Sequence, residues 1–382
     1  MISLAVAMGV GRFAFTPLFP LMVRDGLLDS ETGALLAACN YLGYLLGALS
    51  TARTRAKPGT LLAFGLVGTV VVTASVGWTS SVSTWAILRF VAGVASAWTL
   101  VATTAWGLSW LASLGRPQLA GIIFAGVGLG IAAAGVFCLV AARPGVSSLG
   151  MWIELAGLAG VVALLPLAAS QALPLTVPGV GAPRAQASPH LPSSATGGLI
   201  VCYTLFGFGY ILPATYLPAL ARQLVDDPRV FGWAWPLFGM AAALSTVAVS
   251  WGLKRADRLA VWAIAHAVMA IGVLLPCFRP SFAGVSVAAL LVGGTFMVVT
   301  MVGMQEARSR AEGNTTEVLG RMTAGFAFGQ LMGPVASAAI GRFTTNYSTA
   351  LNYALTISAT GLFLSAFYLW RKRISLRPPF SR

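Results

Sequence analysis

Residues 9–22 read GVGRFAFTPLFPLM, and residues 207–220 read GFGYILPATYLPAL. Gly9 falls on Gly207, Gly11 on Gly209 and Pro20 on Pro218, all at an offset of 198 residues. A second pair keeps nearly the same step: AGVGLG at 125–130 and AGFAFG at 324–329 are 199 residues apart. A near-constant offset over two separate segments reads as an internal duplication. Between the copies lies SQALPLTVPGVGAPRAQASPHLPSSAT, residues 170–196, rich in Pro, Ser, Ala and Gly and almost without charge. That composition describes a flexible linker. The expected organisation is therefore a first bundle over 1–170, a linker over 171–195, a second bundle over 196–370 and a basic tail over 371–382.

The medium these bundles occupy follows from composition. The chain is 57% hydrophobic and 9% charged, where soluble domains carry about 25% charged residues. Its outside must be as apolar as its inside. About 20 apolar residues at 1.5 Å each cross about 30 Å of hydrocarbon, and twelve runs of that kind are predicted. They begin with 2–23, 31–52 and 59–78 and end with 281–305, 317–341 and 347–370. Backbone groups in lipid must bond internally, so the runs are helices, and no alternating barrel-strand pattern is present. The fold class expected is all-α: a polytopic membrane protein of two pseudo-symmetric six-helix bundles. The first run starts without a basic n-region or an A-x-A site, and reads as a retained span.

Charge supplies the orientation. Loops on one side, including ARTRAKPG (52–59) and the RKR run at 371–373, hold sixteen of the 24 Lys and Arg residues. The other side holds six, and Arg12 and Arg89 lie inside spans. The positive-inside bias places both termini in the cytoplasm, in the cell (plasma or inner) membrane, and accounts for the net charge of +14. A nucleic-acid partner would need a basic folded domain with stacking aromatics, which the chain lacks. Cys39, Cys138, Cys202 and Cys277 stand singly, without metal-ligand or redox spacing. No phosphate-binding G-x-x-x-x-G-K-[ST] loop exists, and a Gly128–Ala133 match to a dinucleotide motif follows no strand. No cofactor and no metal site are expected. The partners expected are a small-molecule substrate, protons and the lipid bilayer, with the chain acting as a monomer.

Several residues stand out against the apolar background. Arg12 is about eleven residues, roughly 16 Å by helix rise, from either end of its span. A charge at that depth costs about 2.5–3.5 kcal/mol on insertion scales, so it faces the bundle interior or a wet cavity. Its planar fork suits a carboxylate, which makes an organic anion the expected substrate; a purely structural role in bonding carbonyls is the competing reading. Arg89 and Glu154 lie at similar depths, about seven and six residues from the same face, and are expected to form an ion pair or a proton-coupling pair. Asp25, Asp29 and Glu31 read as a solvated rim. His266 reads as a satisfied interhelical bond. Phe15, Asn40, Tyr44, Trp98, Tyr203, Tyr210, Trp235 and Gln330 are the aromatic and amide groups available to complete a pocket, and Trp78, Trp85 and Trp152 read as interface anchors. Pro17, Pro20 and Pro334 interrupt spans where a helix that bends for gating would need it. Gly126 and Gly130, and Gly325 and Gly329, are spaced for close helix packing.

These motifs carry a resemblance. The Gly9–Pro17 run closing in Pro20-Leu21-Met22 resembles the signature of the YbfB/YjiJ branch of the major facilitator superfamily, and NYLGYLLGAL (40–49), LRFVAGVASA (88–97) and GFAFGQLMGP (325–334) resemble the same branch. The likeness spans essentially the whole chain. It implies the twelve-helix fold and secondary active transport by alternating access of two bundles around a central site. The fourth-span pattern is met by Arg89, Gly93 and Ala97, where proton-coupled relatives place a coupling arginine. The loop after the second span keeps Gly47, Arg53, Arg55 and Lys57 but has no Asp, which departs from the superfamily's switch motif. Efflux of drugs or neutral compounds is the alternative within transport. A membrane-embedded lipid-modifying enzyme is the remote one, since no acid pair or His/Asp pair stands at catalytic spacing; the chain is expected not to be an enzyme.

Overall fold

Polar caps and left-handed glycines mark where the helices begin and end. The computed structural model describes residues 1–54, 56–143, 145–172, 194–224, 232–252, 256–278, 281–311, 315–343 and 347–375. The helices are α1 (Ile2–Arg24), α2 (Ser30–Arg53), α3 (Pro58–Val76), α4 (Val82–Ser113), α5 (Ala120–Ala141) and α6 (Ser148–Ala172). They continue as α7 (Ser194–Leu224), α8 (Ala234–Gly252), α9 (Arg258–Phe278), α10 (Phe282–Ser309), α11 (Thr315–Arg342) and α12 (Tyr347–Ser375). Among the described residues eleven are long and apolar enough to cross a bilayer; α11 is as long, but Gln330, Gly333 and Pro334 interrupt its apolar run. The expected linker lies mostly outside the described residues, as does the tail beyond 375.

Helix α2 starts where Asp29 accepts the Thr32 N–H at 2.7 Å, and α10 where Ser281 accepts that of Gly284 at 3.1 Å. Helix α1 ends in a Schellman turn: Gly26, at φ +71°, lets Leu27 N–H reach back to Met22 O at 3.0 Å. Gly115, at φ +65°, ends α4 the same way, with Arg116 N–H on Leu111 O at 2.9 Å. An L side chain rarely adopts these dihedrals.

The outer surface is apolar. Phe64, Val161 and Phe278 are among the most exposed side chains, while Arg12 and Arg89 are buried. This inside-out distribution suits lipid. Within the first six helices, α4 packs on α2 and α3, and α5 packs on α1. Within the last six, α9 packs on α10 and α12, and α11 packs on α7. The duplicated motifs lie on equivalent helix pairs, α1–α5 and α7–α11, one turn apart in register: a Cβ on Gly9 would strike Gly130, and one on Gly207 would strike Phe326 rather than Gly329.

The two sets meet along α5–α8 and α2–α11. Gly121, Gly128 and Gly135, one heptad apart, give α5 a flat face on which α8 lies. A Cβ on Gly128 would come within 2.5 Å of Gly239 O and Ala243 N, and one on Gly239 within 2.6 Å of Gly128 O. On α11, a Cβ at Gly320 would meet Ala52 N at 2.9 Å. Backbone against backbone has nothing flexible to yield.

The tryptophans divide. Trp78 is exposed at the end of α3, as an interface anchor would be, but Trp85 and Trp152 are fully buried. Their N–H groups find partners inside: Trp85 Nε1 donates to Val76 O at 3.1 Å, and Trp152 Nε1 to Met22 Sδ at 3.5 Å. Asp25 likewise is no free rim group. Its Oδ2 accepts the Ser148 N–H at 2.7 Å, so the end of α1 caps the start of α6, and its Oδ1 pairs with Arg24 at 2.8 Å. Desolvation pushes this carboxyl up, and the hydrogen bonds from Ser148 and the pairing with Arg24 outweigh it, leaving it below the usual carboxylate range.

The packing can be tested at two points. Gly128→Leu should destabilise the protein strongly, because overpacking costs about 1–3 kcal/mol even where side chains can shift; Gly157→Leu, whose Cβ meets nothing within 4 Å, should not. Equal melting of the two variants in detergent would refute the α5–α8 contact. Asp25→Asn keeps an acceptor for the Ser148 N–H but removes the charge that strengthens that bond and pairs with Arg24, and should cost up to about 1 kcal/mol at pH 7. A depressed folded pKa contributes stability above the unfolded value of about 3.9, lost as pH falls through the folded value. The gap between wild type and variant should close on acidification from pH 7 to 3; parallel profiles would rule the cap out.

Candidate functional site

Helix α1 is not uniform. Ile2–Leu4 and Phe15–Arg24 are α-helical, but Ala5–Phe13 is π-helical. π turns make up well under 1% of residues and gather at functional sites. In that register each N–H serves the carbonyl five residues back. The donor for Arg12 O would be residue 17, and Pro17 has no N–H. Arg89 fills the gap from α4: Nη1 donates to Gly11 O at 3.2 Å and Nη2 to Arg12 O at 3.2 Å. Ser96 Oγ donates to Ala7 O at 2.8 Å. Phe15 covers the other face of the Arg89 guanidinium at 4.7 Å. Asn40 Nδ2 holds the Arg89 carbonyl at 2.9 Å. A Cβ on Gly93 would strike Asn40 O and lie 2.7 Å from Tyr44 N, so Gly93 lets α4 close on α2.

The π turns aim Arg12 at the centre of the protein. Its Nη2 donates to Gln330 Oε1 on α11, so a charge on the first six helices is held by an amide on the last six. Tyr44 lies against the guanidinium face at 3.8 Å, with Phe13, Tyr41 and Phe326 at 5.5, 5.7 and 6.0 Å. Among the described residues no carboxylate pairs with Arg12 or Arg89. Arg12 Nε and Nη1, Gln330 Nε2, Tyr210 Oη and Trp235 Nε1 are buried without a hydrogen-bond partner. A desolvated cation–π contact contributes roughly 2 kcal/mol and a charged hydrogen bond about 1.5–3. Together they offset an insertion cost of about 2.5–3.5 kcal/mol. The unpaired guanidinium N–H groups, at about 1–3 kcal/mol each, remain uncompensated. The centre is short of acceptors.

Aromatic rings enclose this cluster. Phe13 meets Trp235 at 6.4 Å and Phe296 edge-on at 6.0 Å. Tyr210 stacks on Phe296 at 4.3 Å, and Trp235 on Phe238 at 5.4 Å. Tyr210 sits at the offset of 198 from Arg12, so the duplicated motif contributes a cation from one copy and a phenol from the other.

Of the residues expected at the site, Arg12, Tyr44, Tyr210, Trp235 and Gln330 are thus brought together, Asn40 and Phe15 support Arg89, and Trp98 lies elsewhere. Its Nε1 donates to Ser50 Oγ at 2.8 Å, and it packs with Leu61, Leu62 and Leu66. Glu154 is not beside Arg89. It projects from the exposed face of α6, while Met151, Trp152 and Leu155 turn inward. Pro17 lies in the first turn after the π segment and Pro20 inside the α-helical part; Pro334 lies inside α11. Phe13, Phe296 and Phe326 were not singled out in the sequence, although Phe13 adjoins Arg12. Helix α10 runs four residues past its expected end and so carries Glu306, nearly buried and paired with Arg310 at 2.6 Å and Arg258 at 3.4 Å. His266 is held on both sides, accepting from Trp262 Nε1 at 3.1 Å and facing Ser365 Oγ at 2.8 Å, as a satisfied interhelical group does.

Arg89→Met should remove both carbonyl donors and lower stability by about 3 kcal/mol, two charged hydrogen bonds less the relief of burying a cation. Arg89→Lys should fall between, since an ammonium cannot span two carbonyls with a planar fork. Unfolding of the three proteins in detergent checks this order; an Arg89→Met protein as stable as wild type would contradict it.

No curated protein sequence matches the chain. Among solved structures it resembles the human organic anion transporter MFSD10 (TETRAN), at TM-score 0.75 and 17% identity over 96% of this chain and 97% of that one. It also resembles a mutant form of the nucleoside transporter NupG, at TM-score 0.65 and 13% identity over 97% and 98%. At these identities the likeness speaks for the fold. The family model described as uncharacterised MFS-type transporter YbfB matches residues 4–369, and the chain therefore belongs to that family of integral membrane transporters.

Proposed function

We propose that the protein is a secondary active transporter of a small organic anion, working by alternating access of residues 1–170 and 196–370 around the Arg12 site. The observation that carries this reading is a buried guanidinium with two unpaired nitrogens and, among the described residues, no carboxylate partner. A protein that merely tolerated a cation here would have neutralised it; a site for anions leaves it open. That MFSD10 is described as an organic anion transporter agrees with the reading. Both termini lie in the cytoplasm of a cell that carries the protein in its plasma or inner membrane, as the Lys and Arg bias favours.

The site needs the two sets of helices to part. Arg12–Gln330, Phe13–Trp235 and Phe13–Phe296 all cross between them, and an entering ligand replaces those contacts. At the face bearing the termini, Arg308 Nε on α10 donates to Ser109 Oγ on α4 at 3.3 Å, a further crossing contact. Proton coupling through Arg89 and Glu154 finds no geometric support, because Arg89 is committed to carbonyls and Glu154 faces outward.

Thermal unfolding of purified protein against organic anions, cations and neutral compounds tests the reading. Particular anions should raise the midpoint by mass action, and Arg12→Ala should lose that shift. In proteoliposomes the same anions should accumulate through wild type and not through Arg12→Ala. Stabilisation by neutral compounds alone, kept in Arg12→Ala, would replace this reading with efflux of neutral compounds.

A further inference from the structure

The unpaired groups around Arg12 define more than a charge. Those of Arg12, Trp235 and Gln330 are N–H donors, and Tyr210 brings a hydroxyl. Among the described residues the acceptor given to Arg12 is the Gln330 carboxamide oxygen, which stands in shape where one oxygen of a carboxylate would stand. Arg89 adds no second free cation, since its Nη1 and Nη2 are taken by Gly11 O and Arg12 O. Beside the donors, rings of the first helix set face rings of the second: Phe13 against Trp235 and Phe296.

We propose that Gln330 is the specificity-determining residue of this site: its neutral amide caps Arg12 when the site is empty and yields to the carboxylate of a monoanionic, ring-bearing ligand. This rests on the organic-anion reading above and narrows it. One cation balances one negative charge, and a dianion would bring a second charge into a closed apolar site with nothing to meet it. The ring of the ligand takes the place between Phe13 and Trp235 as the helix sets part, so apolar area lost there is regained. Because Gln330 is neutral, Arg12 keeps its charge for the ligand. A carboxylate at position 330 would satisfy Arg12 from within and close the site to anions.

The test uses the full-length protein in detergent and benzoate, terephthalate, benzylamine and benzyl alcohol as ring-bearing probes, beside acetate and the wider anion panel used above. Benzoate should raise the unfolding midpoint of wild type, with terephthalate, benzylamine, benzyl alcohol and acetate without effect. Gln330→Glu should melt at or above wild type, carrying its own ion pair, and bind benzoate at least tenfold more weakly. Gln330→Leu should keep the benzoate shift. An equal benzoate shift in Gln330→Glu, or an equal shift of wild type by terephthalate, would overturn the proposal and leave the organic-anion reading standing. So would stabilisation by aliphatic anions such as acetate without benzoate. If no anion moves wild type, both fall. The wild-type comparison of benzoate with terephthalate decides the matter even where Gln330→Glu does not fold.

Discussion

A guanidinium buried in the middle of a membrane-spanning helix must be surrounded by electron density or it will not stay there. In this protein the density comes from the Tyr44 ring and the Gln330 amide, both neutral. That choice shapes the middle of the molecule. An acid at either place would have made a stable, self-contained pair and an inert core. A neutral surround leaves the charge without a counter-ion and two guanidinium nitrogens unpaired, which costs stability at that point. It also ties the two helix sets together through the hydrogen bond from Arg12 to Gln330.

Arg89 meets the same constraint in the opposite manner. It is buried as fully as Arg12, yet its terminal nitrogens are used, on the carbonyls of Gly11 and Arg12, the second of which Pro17 would leave without a helical donor. The π turns in α1 and the arginine in α4 therefore support one another: the widened turns open the two carbonyls to a side chain, and the guanidinium gives the Arg12 carbonyl the donor that Pro17 lacks. Arg89 acts on the site only through the backbone that carries Arg12. Two intramembrane cations that look alike in the sequence thus have different work, one holding a helix and one facing the centre.

What the sequence shows and hides follows from which coordinate it encodes. Hydropathy and helix rise give depth, so the twelve spans, the duplication and the burial of Arg12 are legible. They do not give azimuth. Arg89 and Glu154 sit at similar depths, but a rotation about α6 puts Glu154 on the outward face. Glu306 escaped notice because a run of apolar residues stops at 305 while the helix continues for another turn. The π segment has no signature in apolar periodicity, because its register is fixed by Arg89 and Ser96 from another helix. Gly121, Gly128 and Gly135 are separable from Gly126 and Gly130 only once α8 and α1 are seen to lie on different faces of α5.

The duplication is geometric, and its chemistry is asymmetric. The same position of the repeat holds Arg12 in the first copy and Tyr210 in the second, and Phe13 of the first packs on rings of the second. A pair of arginines would repel across the centre, and a pair of tyrosines would leave it without charge. In the organic-anion reading proposed above, the first copy supplies the attraction for an anion through Arg12, and the second supplies rings, Trp235 and Phe296, for its body. The contacts that hold the copies together at this level, an amide on a guanidinium and ring on ring, are the kinds a carboxylate on an aromatic frame would make with each. Under that proposal a ligand of this form would replace the interface contacts in kind as the helix sets part around it, whereas solvent alone would replace the hydrogen bond but not the rings.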